Sequence, residues 1–339
     1  MKRWLGWLLV AALIALAFAY GPRVDWAHTA EALRGASPAY LIAAAAVNLL
    51  SMALKAIRWW LFLRSLGVTS LGLVMRAAFA GYGLNTILPA NGGEAARIVF
   101  VARRTQLPSA PIVATVAWDR IFDIAGYVAL IAGATLVFRL PPNMSIWKVP
   151  AAALLAATVA IVAWLARRRH RTPDDVLAEQ RPADASWVKR ARLYVVRVAH
   201  SLSALSDPRA FGWATVLTIG AWVTQILTFD LGARAVDLDL PLAGTVAALI
   251  LVNVGYAVRA TPGNVGLYQA AFAAAVVKPF GVPAALAFAA SLLLQAVQMI
   301  PVALVGLAAM PGLVAGGRRR AAEASPEPRS PAGARDVVR

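Results

Sequence analysis

The 339-residue chain is 60% hydrophobic and 14% charged, contains no cysteine and carries a formal net charge of +17. That apolar content exceeds what a soluble core uses and places the chain in a membrane. Without cysteine, thiol catalysis, thiolate metal sites and disulfides are excluded.

Crossing about 30 Å of hydrocarbon takes roughly 20 helical residues. In chain order, stretches long enough run over 4–20, 38–63, 109–138, 146–165, 210–231 and 283–310. The first carries Lys2 and Arg3 before it and Ala17-Phe18-Ala19 at its end, which mimics a signal peptide; its longer apolar run predicts an uncleaved helix. Four shorter apolar pieces, 72–88, 92–104, 242–258 and 262–279, form two pairs, each hinged at a Pro-x-Asn-x-Gly.

The hinges repeat. Gly81-Tyr82 followed by Pro89-Ala90-Asn91-Gly92-Gly93 returns as Gly255-Tyr256 followed by Pro262-Gly263-Asn264-Val265-Gly266. Proline and glycine end helices and free backbone groups that hydrocarbon cannot satisfy, so such breaks survive at membrane depth only inside protein or beside a wet cavity. Matched breaks in two halves point to a transport site. The surrounding elements recur 170 to 174 residues apart, from 38 and 210 to 109 and 283. An odd number of crossings separates the halves whether the pairs are hairpins or full crossings, so the repeats are inverted. The fold class expected is an all-α polytopic membrane protein with two inverted repeats, 38–138 and 210–310, each holding a Pro/Gly-broken re-entrant helical hairpin. The domain expected is a single transmembrane unit, 1–315, with a basic loop at 166–209.

With the N-terminus inside, 25 of the 33 basic residues fall on the cytoplasmic side, including Lys55, Arg58, Arg64 and Arg76. That bias predicts both termini in the cytoplasm. The positive charge flanks apolar helices and no nucleic-acid motif accompanies it, so lipid head groups are the partner expected and nucleic acid is not. From Trp187 to Leu205 apolar residues recur at helical spacing with Lys189, Arg190, Arg192 and Arg197 on other faces. An interfacial amphipathic helix and simple positive-inside bias both account for this loop. The proline-containing tail, 316–339, has too little apolar content to fold and is expected to be disordered. His28, in an outer loop, and His170 and His200 are scattered as surface histidines, and no metal or cofactor site is expected. Nor does a Gly-rich loop lead to Lys and Ser/Thr, which argues against ATP-driven pumping by this chain.

Polar residues at membrane depth mark candidate sites, since a charge at the bilayer centre costs about 2.5 to 3.5 kcal/mol on insertion scales. The first cluster is Asn85, Asn91, Glu94 and Arg97. Glu94 and Arg97 share a helix face and can form an ion pair, while the half-helix from Gly92 aims free N–H groups at the break, which suits an anion. A hairpin tip held by Asn91 and that ion pair, and a ligand site, stand as equal readings. The second cluster, Asp119, Arg120 and Asp123, falls about 10 to 16 Å into the core. Arg120 can reach Asp123, and without a partner such as Arg97 or Arg259 one aspartate would be protonated. This suits proton coupling; an ion network that locks helices is the alternative. Around the second break stand Arg259, Asn264 and Gln269, with Gln295 and Gln298 read as interhelical hydrogen-bonding residues. Aligned on the motif, Glu94 meets Leu267 and Arg97 meets Ala270, so one half carries charge and the other mostly amides.

Arg58-Trp59, Leu66-Gly67, Asn85 to Pro89, Gly93-Glu94 with Arg97, Asp119-Arg120-x-x-Asp123, and Pro262-Gly263 with Gly266 resemble, in order and spacing, the flippase-like membrane domain of lysylphosphatidylglycerol synthases and its stand-alone relatives. The resemblance covers about residues 38–310. It implies a bacterial inner-membrane protein that moves or presents a lipid, such as an aminoacylated phosphatidylglycerol, a hopanoid-type lipid or a lipid-linked sugar, between leaflets. Two departures stand out: Asp119 where many relatives carry glutamate, and Gln269 where an acidic residue is common. The tail after Leu313 leaves no room for an aminoacyltransferase domain, so lysine transfer is not expected.

The function expected is lipid translocation rather than catalysis. An anionic or zwitterionic head group would slide along Asn85, Asn91, Glu94, Arg97, Asp119, Arg120, Asp123, Arg259, Asn264 and Gln269, past breaks at Pro89, Gly93, Pro262, Gly263 and Gly266. The alternatives are a proton- or sodium-coupled carrier of a small solute and a non-catalytic membrane partner of a lipid-modifying enzyme.

Overall fold

The computed structural model describes residues 25–87, 92–138, 208–258 and 262–323, with isolated helical positions between 149 and 160. Among the described residues it is all-helical, without a strand. The elements are α1 (Trp26–Arg34), α2 (Pro38–Arg64), α3 (Leu71–Ile87), α4 (Gly92–Thr105), α5 (Ser109–Val137), α6 (Pro208–Arg234), α7 (Leu242–Val258), a 3₁₀ turn (Pro262–Asn264), α8 (Leu267–Phe280) and α9 (Ala284–Glu323). The stretch 4–20, the amphipathic segment from Trp187 and most of 146–165 lie outside the described residues.

Four helices, α2, α5, α6 and the Ala284–Met310 part of α9, are long and apolar enough to cross a membrane. Only 22% of the most apolar window of α2 and 17% of that of α5 are buried inside the protein. Ile42 and Leu50 on α2, Val137 on α5, Ile219 on α6 and Leu304 on α9 are exposed. An outer surface this apolar is stable in hydrocarbon and not in water. The chain is an integral membrane protein.

The long helices α2 and α6 pack antiparallel, fastened along their length. The Ser37 N–H donates to the Ala235 carbonyl at 2.7 Å, Gln225 Nε2 to Asn48 Oδ1 at 3.1 Å, Ser51 Oγ to the Ala221 carbonyl at 3.0 Å and Arg58 Nη1 to Thr218 Oγ1 at 2.8 Å. Two apolar cores flank this seam. One gathers Trp59, Phe62, Val74, Val101, Ile112, Trp118 and Phe211; the other gathers Phe229, Leu249, Val252, Tyr268, Phe272, Val276 and Leu294.

The short helices α3 and α4, 17 and 14 residues long, span about 26 and 21 Å at 1.5 Å per residue, less than a bilayer core. They meet at two glycines. A Cβ on Gly93 would lie 1.9 Å from the Gly81 carbonyl oxygen and 2.7 Å from Asn85 Oδ1, so no larger residue fits this contact. Asn85 Oδ1 accepts the Gly93 N–H at 2.9 Å and closes the first break. At the second break the chain turns through Gly263 (φ +64°) and Gly266 (φ +86°), left-handed conformations that glycine adopts without a steric cost. Helix α3 also packs on α9, where Gly83 and Gly306 bring the two backbones together, and on the Pro262–Asn264 turn.

Two expectations are corrected. His28 is not in a loop but on α1, whose N-terminus is capped by Asp25 accepting the N–H groups of Ala27 and His28, both at 3.1 Å. The tail expected to be disordered from Gly316 begins as helix, because α9 runs on to Glu323. Arginine, alanine and glutamate are good helix formers, and extending an existing helix costs far less than starting one.

Candidate functional site

Asp119 is ten residues into α5 and Arg58 six residues from the end of α2, which puts them about 15 and 9 Å inside their helices. Ionised groups there need partners, and they find each other. Arg58 donates from Nε and Nη2 to Asp119 Oδ1 at 2.9 and 2.8 Å, from Nη2 to Asp123 Oδ1 at 2.7 Å, and from Nη1 to Thr218 Oγ1. Thr218 Oγ1 donates in turn to the Ala214 carbonyl at 2.7 Å, so the arginine ties α2 to two other helices, α5 and α6, with its charge met by two carboxylates.

Around that centre the charges alternate. Asp119 Oδ2 accepts from Arg97 Nη2 at 3.3 Å, Asp123 Oδ2 accepts from Arg120 Nη1 at 3.4 Å, and Lys55 Nζ stands 3.7 Å from Asp123 Oδ1. Arg120 Nη2 also pairs with Glu94 Oε1. The cluster has an inner and an outer layer. The side chains of Arg58, Arg97 and Asp119 are at most 4% exposed, whereas Arg120 is 42% exposed and Glu94, Asp123 and Lys55 lie between. Removing one member of a buried network strands its partner's charge, at about 3 to 5 kcal/mol.

The Glu94 to Arg97 ion pair expected within α4 does not form. Glu94 turns to Arg120 and Arg97 to Asp119, both on α5. Adjacent Asp119 and Arg120 present opposite charges to α4, and the crossing pairs give Arg97 and Glu94 each a partner of opposite sign and tie the two helices together. The contact between Arg120 and Asp123 is present, and both aspartates have cations beside them.

Among the other anticipated residues, Asn91, Pro89 and Arg259 lie outside the described residues. Asn85 fastens the first break. Asn264 and Gln269 join a separate network that is neutral. Asn264 Nδ2 donates to the Gly255 carbonyl at 3.0 Å, Gln269 Oε1 accepts the Gly266 N–H at 2.7 Å, and Gln269 Nε2 donates to Gln295 Oε1 at 2.7 Å. Gln295 Nε2 then donates to the Gly263 carbonyl at 2.6 Å. Nearby, Tyr268 Oη meets Gln298 Oε1 at 3.1 Å, and Gln298 Nε2 reaches Gln225 Oε1 at 3.4 Å. Gln295 and Gln298 make the interhelical bonds expected of them.

Arg58 and Lys55 are the residues that sequence reasoning missed, having been assigned to the cytoplasmic flank. A signal was present: Arg58 is followed by Trp59-Trp60-Leu61-Phe62-Leu63, an apolar run that keeps it inside the span. Thr218 carried no comparable signal, and Tyr82 stood out only as part of the repeated Gly-Tyr pair. Among the described residues no group of three or more His, Cys, Asp or Glu could hold a metal ion.

Residues 3–306 match the family described as the lysylphosphatidylglycerol synthase TM region. The chain belongs to this family. The chain is also similar to a protein of Haloferax volcanii named Glycosyltransferase AglD, 28% identical over 326 residues, covering 86% of this chain and 51% of the relative. It spans about half the length of that curated relative.

Proposed function

We propose that this protein is a lipid translocator of the bacterial inner membrane, moving a phospholipid or lipid-linked head group between leaflets. The observation that carries the reading is the charge cluster around Arg58: ionised groups sunk about 9 to 15 Å into apolar helices, with an outer layer, Arg120 above all, left reachable. In this reading α3–α4 and α7–α8 are re-entrant hairpins of two inverted repeats. Support comes from the antiparallel packing of α2 on α6, the matching order of elements and the contact of α3 with the second break. Residues 1–315 form one transmembrane unit with both termini cytoplasmic, and rocking of the halves alternates access. The head group passes Glu94, Arg97, Asp119, Arg120 and Asp123 while the acyl chains remain in the bilayer; Arg259, Asn91, Asn264 and Gln269 continue the path.

The test is leaflet exchange in liposomes carrying the purified protein, with labelled phosphatidylglycerol, aminoacylated phosphatidylglycerol and a polyprenyl-phosphate lipid. Exchange of one class, lost in the Asp119→Asn/Asp123→Asn variant, is expected. Absence of exchange for every lipid, with and without a proton gradient, would sink the reading. A second reading, a non-catalytic membrane partner of a lipid-modifying enzyme, is favoured by the relative's name as a glycosyltransferase; a lipid-linked sugar is the corresponding cargo.

A further inference from the structure

Charge in the cluster does not balance. Lys55, Arg58, Arg97 and Arg120 face three carboxylates, Glu94, Asp119 and Asp123, which leaves one positive charge over. The four cations are not held alike. Arg58 has an acceptor for each of its nitrogens and Arg120 reaches two carboxylates. Arg97 leaves Nε and Nη1 without an acceptor and the Tyr82 hydroxyl is unbonded, but all three atoms are buried, and the Trp59 ring lies 4.6 Å from the Arg97 guanidinium carbon. Lys55 is different. It stands nine residues before the end of α2, about 14 Å inside the helix, yet its side chain is 20% exposed. Its Nζ is 3.7 Å from Asp123 Oδ1, too far for a hydrogen bond, and 5.7 Å from the centroid of the Trp222 ring, so among the described residues its N–H groups have no acceptor. Nor does Asp123 depend on it, because Oδ1 already accepts from Arg58 at 2.7 Å and Oδ2 from Arg120 at 3.4 Å. The Trp222 ring beneath the ammonium is fixed in its turn: it stacks on Tyr127 at 5.6 Å, and its Nε1 edge lies against Gly126, where a Cβ would leave no room for it. A cation at this depth costs free energy to keep. One that is reachable, unbonded and in excess is suited to an anion that is not part of the chain.

We propose that Lys55, seated over the Trp222 ring, binds the anionic group of the cargo and selects for it, and that this cargo carries one negative charge and no cation. In the translocator reading, on which this inference rests for its source, the group is the phosphodiester of an anionic lipid head group; a free phosphate carries the same chemistry. An ammonium is a compact charge with three rotatable donors, so it can follow an oxygen that moves past it, where the planar fork of an arginine would fix one orientation. One negative charge cancels the excess. A zwitterionic or aminoacylated head group brings an ammonium of its own to a place where Lys55 and Arg120 already flank Asp123, and that repulsion discriminates against it.

Thermal unfolding of the full chain in an uncharged maltoside detergent tests this, with dihexanoylphosphatidylglycerol, dihexanoylphosphatidylcholine and inorganic phosphate as probes. The anionic lipid is expected to raise Tm saturably, at about a tenfold lower concentration than the zwitterionic lipid, which has the same phosphodiester. Lys55→Gln removes a charge that makes no hydrogen bond, so the protein alone should unfold at about the same temperature, while its affinity for the anionic lipid falls about tenfold and the preference between the lipids disappears. Lys55→Arg keeps the charge and should keep the preference. A shift with inorganic phosphate alone, lost in Lys55→Gln, would keep the anion site and remove the lipid as its source. Equal affinities for the two lipids, an unchanged affinity in Lys55→Gln, or a fall in its Tm as large as that from Arg58→Met would overturn the assignment. Leaflet exchange by the same proteins reads transport separately: Lys55-dependent binding without exchange leaves the site standing and fails the translocator.

Discussion

The two helical breaks use one frame for opposite chemistry. At each, a side-chain amide accepts a glycine N–H, Asn85 to Gly93 at the first and Gln269 to Gly266 at the second. Beyond that they part. The first break leads into Glu94 and Arg97, whose charges must be answered from α5; the second leads into Gln269 and Asn264, which bond to Gln295 and to the Gly255 carbonyl. An amide carries donor and acceptor together and can be satisfied by another neutral group, whereas a charge in a low-dielectric interior needs an opposite charge. The charged half is therefore held by other helices' ions. The amide half holds its shape without them.

The largest expected effect breaks this contrast at its centre. Arg58→Met leaves Asp119 and Asp123 without their principal cation and should cost about 3 to 5 kcal/mol. Thermal unfolding in detergent measures it, and Arg58→Met with Asp119→Leu should recover a good part of the loss. If the single substitution cost no more than loss of one amide, the contrast would fail. Next are the glycines. Gly93→Ala drives a methyl group into the Gly81 carbonyl and should cost about 1 to 3 kcal/mol or more. Gly255→Ala meets nothing closer than Leu267 Cγ at 3.5 Å and sits within α7, so it should be neutral or slightly stabilising. Comparable losses at both would show the breaks to be equally tight. Gln295→Ala frees the Gly263 carbonyl and Gln269 Nε2, at about 1 to 3 kcal/mol, and should leave leaflet exchange by the folded fraction intact.

The smallest effect lies away from both breaks, on α1. The His28 imidazole is held above its usual pKa by its hydrogen bond to Asp25, and the Asp25 carboxyl is held below its own by bonds to the His28 backbone N–H and ring. The histidine contribution is complete below its unfolded pKa and is lost as pH rises through the raised folded value. The aspartate contribution is complete above its unfolded pKa and is lost as pH falls through the lowered one. Docking of α1, in which Trp26 meets the Phe288 ring at 5.5 Å, should be firmest in the mildly acidic interval between. The fluorescence difference between the protein and its Trp26→Phe variant follows it. His28→Gln should flatten the alkaline arm, and the effect should be small because both groups are exposed.

Much of the fold was legible. The helices expected at 242–258 and 109–138 appear as Leu242–Val258 and Ser109–Val137, because apolar run length and Pro/Gly punctuation are local properties of the chain. Helix α1 was missed although Asp25 stands three residues before His28 in a capping position, since a nine-residue helix has too little periodicity to show. At the site, Glu94, Arg97, Asp119, Arg120 and Asp123 were visible as polarity at depth. Their pairing was not, and neither was the place of Arg58, which counting basic residues assigned to the membrane flank.

The sequence by itself determined that this protein lives in a membrane, where its helices break and which residues carry charge inside it, because each of these depends on composition or spacing along one segment. Only the tertiary structure decided that Arg58 rather than Arg120 forms the centre of the cluster, that Glu94 turns from its own helix to α5, and that Arg97 and Tyr82 are left with donors to spare. Those outcomes depend on which faces of different helices meet, and in a low-dielectric interior a charge takes its partner from the nearest opposite charge in space, wherever that lies in the chain.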